Sequence, residues 1–123
     1  MSQDIVSDGL NQIMNTKKAG KRELVLKRYS GLLIKILDIA KQYGYIDYNL
    51  SKNELKIEIK NVNTMRAIKP RFTVSVKRIN FYVRRFLPAK NFGFIIVSTN
   101  KGLMRHEEAE EKNIGGCLIA YIF

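Results

Sequence analysis

Only one cysteine, Cys117, occurs in the 123 residues, so no intramolecular disulfide can form and a reducing compartment is the default. Tryptophan is absent, and proline is limited to Pro70 and Pro88. The longest apolar run, Cys117 to Phe123, falls far short of the roughly 20 residues that a bilayer-spanning helix needs. Met1-Ser2-Gln3-Asp4 begins no signal peptide. No glycine-rich phosphate loop of the P-loop or Rossmann kind is present. Acidic residues are missing altogether between Lys60 and Arg105. Together these absences exclude a disulfide scaffold, a membrane-spanning helix and the common nucleotide-binding motifs.

What is present is positive charge. Lys and Arg number 22 against 11 Asp and Glu, giving +11, and the isoelectric point is near 9.9. Segments 1–16, 17–28, 29–59, 60–105 and 106–123 carry −2, +5, 0, +11 and −3. A long single-sign stretch repels itself, so it points to a polyphosphate partner that neutralises it. No segment pairs a basic face with a long apolar stripe, which argues against a membrane surface. The apolar fraction of 46% is that of a folded chain. At 14.2 kDa the chain fits one domain or two small lobes.

The hydrophobic spacing predicts an α+β fold. Ser2 is positioned to cap a first helix carrying Ile5, Val6, Leu10, Ile13 and Met14, ending near Asn15-Thr16. A basic loop, Lys17 to Arg22, precedes a short strand from Glu23 to Arg28. Ser30 caps a second helix with Leu33, Ile36, Leu37 and Ala40 on one face and Gly44 at its C′ position. A hairpin follows, with strands 45–50 and 54–60 around Ser51-Lys52-Asn53. The first lobe, 1–60, is therefore α-β-α-β-β. Residues 61–70 show neither period and read as a linker. The second lobe, 71–123, is mainly β with short helices: a strand through Phe72, Val74 and Val76, a helical turn over Ile79 to Phe86, and a strand from Phe92 to Val97. A polar turn (Ser98 to Gly102), a helix near His106 to Lys112, and a final strand to Phe123 complete it.

Catalytic and metal chemistry are poorly supplied. His106, the only histidine, precedes an acidic run and suits a helix cap or a pair with Glu110. Cys117 has no second histidine to activate it. Glu107, Glu108, Glu110 and Glu111 crowd one helical turn and face different ways, so no catalytic or metal site and no cofactor is expected. A nuclease built on Glu107, Glu108 and His106 lacks partner groups. RNA binding is better equipped. Ser98-Thr99-Asn100-Lys101-Gly102 offers two hydroxyls, an amide, an ammonium and a glycine at a turn, while the basic segments can neutralise phosphates. A stand-alone RNA-binding regulator remains an alternative on these residues alone.

The run Phe92-Gly93-Phe94-Ile95-Ile96-Val97-Ser98-Thr99-Asn100-Lys101-Gly102-Leu103-Met104, followed by His106-Glu107-Glu108-Ala109 and Gly115-Gly116, resembles the C-terminal signature of the small-subunit ribosomal protein eight family. Asp8-Gly9-Leu10-Asn11, Gly20-Lys21-Arg22-Glu23, Gly44-Tyr45-Ile46 and Ile68-Lys69-Pro70-Arg71-Phe72 match in order, and the His-Glu-Glu-Ala and Pro-Arg-Phe elements resemble the archaeal and eukaryotic cytosolic branch. The resemblance implies a non-enzymatic, cytoplasmic constituent of the small ribosomal subunit. It implies direct binding to the central domain of small-subunit ribosomal RNA around helix twenty-one, with neighbouring ribosomal proteins as further partners and no small-molecule substrate. Carried over by position, the RNA-binding residues are Lys17, Lys18, Lys21, Arg22, Arg71, Ser98, Thr99, Asn100, Lys101, Gly102, Gly115 and Gly116. Asn100 stands where many members have serine, Cys117 and Glu110 depart from polar or basic family positions, Arg66 replaces a glycine, and the 51–53 turn is short, as in a divergent, shortened member.

Overall fold

Val6, Leu10, Ile13 and Met14 recur at helical spacing and are buried along one side of α1 (Ile5–Lys18). The computed structural model describes residues 5–89 and 92–123, so the expected cap at Ser2 lies outside the described residues. α1 continues past the expected stop at Asn15-Thr16. Thr16 there donates its hydroxyl to the Gln12 carbonyl at 2.8 Å, and Lys17 and Lys18 form the basic last turn that suits the negative end of a helix. These two lysines are thus helical, not part of a loop. Bonds from the Gly20 and Lys21 amides to the Lys17 and Thr16 carbonyls close the end.

The chain divides into two compact units, Met1–Met65 and Arg66–Phe123. In the first, α1 is followed by β1 (Glu23–Leu26), α2 (Gly31–Gln42), β2 (Ile46–Ser51) and β3 (Glu54–Ile59), the α-β-α-β-β order expected. β1 stops short of Arg28, because Leu26 is its last buried side chain. The Ser30 hydroxyl accepts from the Leu33 amide at 3.2 Å, a cap contributing about 1 kcal/mol. Leu33, Ile36, Leu37 and Ala40 are wholly buried, with Gly44 just beyond the end. β3 lies between β1 and β2, antiparallel to both, and turns Leu55, Ile57 and Ile59 inward. The β2–β3 turn is only Lys52-Asn53, both at positive φ (47° and 63°), because a two-residue turn of this hand matches strand twist.

The second unit departs more from expectation. The stretch 61–70, read as a linker, enters β4 (Met65–Val74) at Met65. Met65 and Ile68 are buried, and the sheet order β4-β7-β5-β6 makes β4 an edge strand, where proline is tolerated. Too few apolar residues alternate there to mark a strand in advance. A 3₁₀ turn (Val76–Arg78) leads into α3 (Ile79–Phe86). Then come β5 (Phe94–Thr99), β6 (Gly102–Arg105), α4 (His106–Glu111) and β7 (Gly116–Ile122). β6 replaces the expected direct passage from turn to helix, and the turn shrinks to Asn100-Lys101, since Thr99 pairs with Gly102. Ile68, Val74, Ile79, Val83, Ile95, Val97, Met104, Ala109 and Leu118 form one core. A bulge between β5 and β7 passes over Ile119, so Ile95 faces Tyr121 while Val97 faces Leu118. No helix among the described residues is long and apolar enough to cross a membrane.

His106 neither caps α4 by its side chain nor reaches for Glu110. It is buried, and its Nδ1 accepts the Ile95 amide at 3.0 Å, fastening α4 to β5. Burial holds its pKa below the ordinary 6.5, against the opposing charge of Glu107 and with Arg105 acting in the same direction as burial. Only the neutral ring can accept this bond. A depressed folded-state pKa means that stability is full above the unfolded value and is lost as pH falls through the folded one. His106→Leu should cost roughly 1–3 kcal/mol near neutrality, by leaving the Ile95 amide buried without its acceptor. In urea unfolding, that difference from the parent chain should narrow as the pH is taken below about 6.5.

Candidate nucleic-acid interface

The Ser98–Gly102 segment is the end of a strand held at its base by buried side chains. Phe94 to Val97 are buried, Ser98 and Thr99 are half-buried, and Asn100, Lys101 and Gly102 are exposed. Gly102 takes φ +108°, a conformation that a side chain would strain. Thr99 builds the turn: its hydroxyl donates to the Gly102 carbonyl at 2.9 Å and accepts the Lys101 amide at 3.0 Å. Its one proton is therefore used inside the hairpin, and one acceptor lone pair is left. The Ser98 hydroxyl, Asn100 amide and Lys101 ammonium make no hydrogen bond or ion pair among the described residues. They are the hairpin's uncommitted groups.

Gly115 and Gly116 set where this hairpin stands. A Cβ on Gly116 would lie 2.4 Å from the Ser98 carbonyl oxygen, and one on Gly115 would lie 2.5 Å from that of Val74. Both positions thus bring the start of β7 against backbone, on β5 and on the end of β4. Cys117 is the register partner of Ser98 and is half-buried; its thiol points to the Leu118 carbonyl at 3.9 Å.

In the first unit a cleft of ≈ 450 Å³ is lined by Lys17, Gly20, Lys21, Arg22, Lys60, Asn61 and Asn63 among others. Four of the expected or newly placed side chains, Lys17, Lys21, Arg22 and Lys60, therefore share one basic depression. Lys60 escaped the sequence reading as a partner of Arg22. The contact comes from the Ile59 amide bonding the Arg22 carbonyl at 2.7 Å, which brings the end of β3 beside the start of β1. Lys18 is exposed on α1 and does not line the cleft. Arg71 is exposed on β4 of the second unit.

The opposite sign gathers on the outer face of the first sheet. Glu23, Glu58 and Asp47 are successive register partners across β1, β3 and β2. Like charges placed this way are unfavourable, and lysines offset them: Lys41 lies 3.3 Å from Asp47 and Lys60 3.7 Å from Glu58. The Lys41 bond, with the Tyr48 amide at 2.8 Å, holds the Asp47 carboxyl below the usual range. On α4, Glu107 and Glu108 pair with Arg105, and no group of three or more His, Cys, Asp or Glu suited to a metal ion occurs among the described residues.

Fold and sites together define a small, basic, two-unit α+β protein with a polar hairpin tip and a cationic cleft. The family model described as ribosomal protein S8 matches residues 4–123, and the chain belongs to that family. It is 41% identical over 129 aligned residues to the small ribosomal subunit protein uS8 of Nanoarchaeum equitans, covering all of both chains. To the small ribosomal subunit protein uS8 of Archaeoglobus fulgidus it is 37% identical, again over all of both chains. The relatives place it on the archaeal side of the family, and it is a structural protein, not an enzyme.

The packing at Gly116 yields a direct check. Gly116→Ala should destabilise the second unit by roughly 1–3 kcal/mol, because neither backbone can give way without breaking sheet bonds. A melting temperature lower by several degrees is expected. Gly31→Ala, where a Cβ meets open space in the first turn of α2, should leave it unchanged or slightly higher.

Proposed function

We propose that this chain is a structural constituent of the small ribosomal subunit that binds small-subunit ribosomal RNA directly. The site on the RNA is the central domain around helix twenty-one, and binding supports subunit assembly and translation in the cytoplasm. The observation that carries this reading is the β5–β6 hairpin. It presents the Ser98 hydroxyl, Asn100 amide and Lys101 ammonium from a strand whose base is buried and closely packed, and such groups read ribose hydroxyls and base edges of an irregular helix. Thr99 and Gly102 shape the turn, and Gly115-Gly116 holds it against β7. Family membership and the names of both relatives support the ribosomal assignment.

Affinity comes from elsewhere. Lys17, Lys21, Arg22 and Lys60 in the basic cleft, Lys18 beside it and Arg71 on β4 meet phosphates, which carry no sequence information. Neighbouring ribosomal proteins complete the surroundings, and neither a small-molecule substrate nor a membrane has a part.

Filter binding to a folded small-subunit RNA fragment tests both layers. Ser98→Ala should lose roughly 1–2 kcal/mol on that fragment by leaving its partner without a donor, with little change on random duplex. Lys21→Ala should weaken both RNAs alike. With about six phosphates neutralised, log K should fall against log salt with a slope of roughly −4 to −5, and the lysine variant should flatten it by just under 1. Equal affinity of the parent chain for the fragment and random duplex would defeat the recognition claim.

A further inference from the structure

α3 carries Tyr82 and Phe86, which pack against the core, and Phe81, an aromatic ring that the core leaves exposed. Phe81 is 53% exposed. Tyr82 meets Phe81 edge-on at 5.0 Å between centroids and lies 6.4 Å from Phe86, their planes 19° apart. Phe86 continues to Tyr121 of β7 at 5.2 Å and 24°. The result is a band of neighbouring rings along one side of the second unit. Cations sit on it: the Arg78 guanidinium lies 5.3 Å from the Phe81 centroid and the Arg85 guanidinium 5.9 Å from that of Phe86.

We propose that this band is a binding surface for unpaired RNA, with Phe81 as the stacking platform and Arg78 and Arg85 as its phosphate contacts. Apolar area by itself would suit a protein partner. The charges favour a polyanion instead, because every charged side chain on α3 and the turn before it is cationic, and no carboxylate occurs anywhere between Lys60 and Arg105. A ring with a guanidinium beside it matches one nucleotide, whose base offers a π face and whose phosphate offers the anion. Duplex RNA hides its base faces in the stack, so the occupant is single-stranded. The proposal extends RNA binding to elements other than the Ser98 hairpin and does not depend on what that hairpin recognises.

Fluorescence anisotropy of the full chain with a short labelled oligoadenylate, and with a duplex of equal length, tests it. Phe81→Ala should weaken oligoadenylate binding about tenfold, the scale of one lost base–aromatic stack, and duplex binding hardly at all. Phe81→Trp should restore the affinity because it keeps a π face, whereas Phe81→Leu should behave like alanine. Phe81 is largely solvent-facing, and thermal melts of each variant check that the fold is intact. Leucine binding as well as phenylalanine, or equal losses on both probes, would overturn the stacking role. So would an acidic amphipathic peptide that saturates the band while oligoadenylate affinity ignores Phe81. Affinity for a folded small-subunit RNA fragment, measured on the same variants, reads the Ser98 hairpin separately, so failure of one surface is told from failure of the other.

Discussion

At Gly115 and Gly116 the backbone of β7 comes closer to its neighbours than any side chain would allow. The carbonyls of Ser98 and Val74 occupy the space that a Cβ would fill. One carbonyl directly follows the buried part of β5 and the other ends β4, so the two glycines tie both strands to β7 where the β5–β6 hairpin leaves the sheet. His106 adds a second tie from outside the sheet by accepting the Ile95 amide. Between these two fastenings β5 is buried from Phe94 to Val97. The polar tip is thereby anchored at its base, and groups positioned before binding lose less freedom when they bind.

Electrostatics then divides the molecule by role. A chain of +11 with no acidic residue across 60–105 is under self-repulsion, which a polyphosphate partner relieves. The few carboxylates are not spread to neutralise that stretch. Glu23, Glu58 and Asp47 line up on the outer face of the first sheet with their own lysines, while Glu107 and Glu108 hold Arg105. Lys17, Lys21 and Arg22 of the cleft, Lys101 at the hairpin tip and the arginines of α3 carry no such carboxylate partner among the described residues. Within the hairpin the division is finer still: Thr99 spans the turn, and Ser98 and Asn100 keep their hydrogen-bonding capacity.

Much of the first unit was legible because its signals are local. Ser30 before an apolar stripe, Gly44 after it, and the alternation of Leu55, Ile57 and Ile59 each specify an element within a few residues. Elements whose evidence lies across the sheet were not legible. β4 was read as a strand only at its Phe72–Val74 end; its earlier part has too few apolar residues to alternate and contains a proline, and becomes a strand through its place at the edge beside β7. β6 is four residues long and exists because β5 lies next to it. The bulge at Ile119 shifts by one residue which β7 side chains face Val97 and Ile95, so no simple alternation could have assigned their faces. His106 was read through its sequence neighbours, the acidic run, whereas its partner is an amide eleven positions earlier.

Composition and local pattern were enough to determine an α+β chain with a cationic middle and a polar turn at 98–102, because charge, capping and periodicity are properties of residues close together in sequence. Tertiary structure alone decided that Lys60 joins Lys17, Lys21 and Arg22 in one cleft, that Thr99 turns its hydroxyl into the hairpin while Ser98 does not, and that Phe81, Phe86 and Tyr121 form a band beside Arg78 and Arg85. Each of those facts depends on strand register and close backbone approach, and the interactions that set register act between residues far apart along the chain.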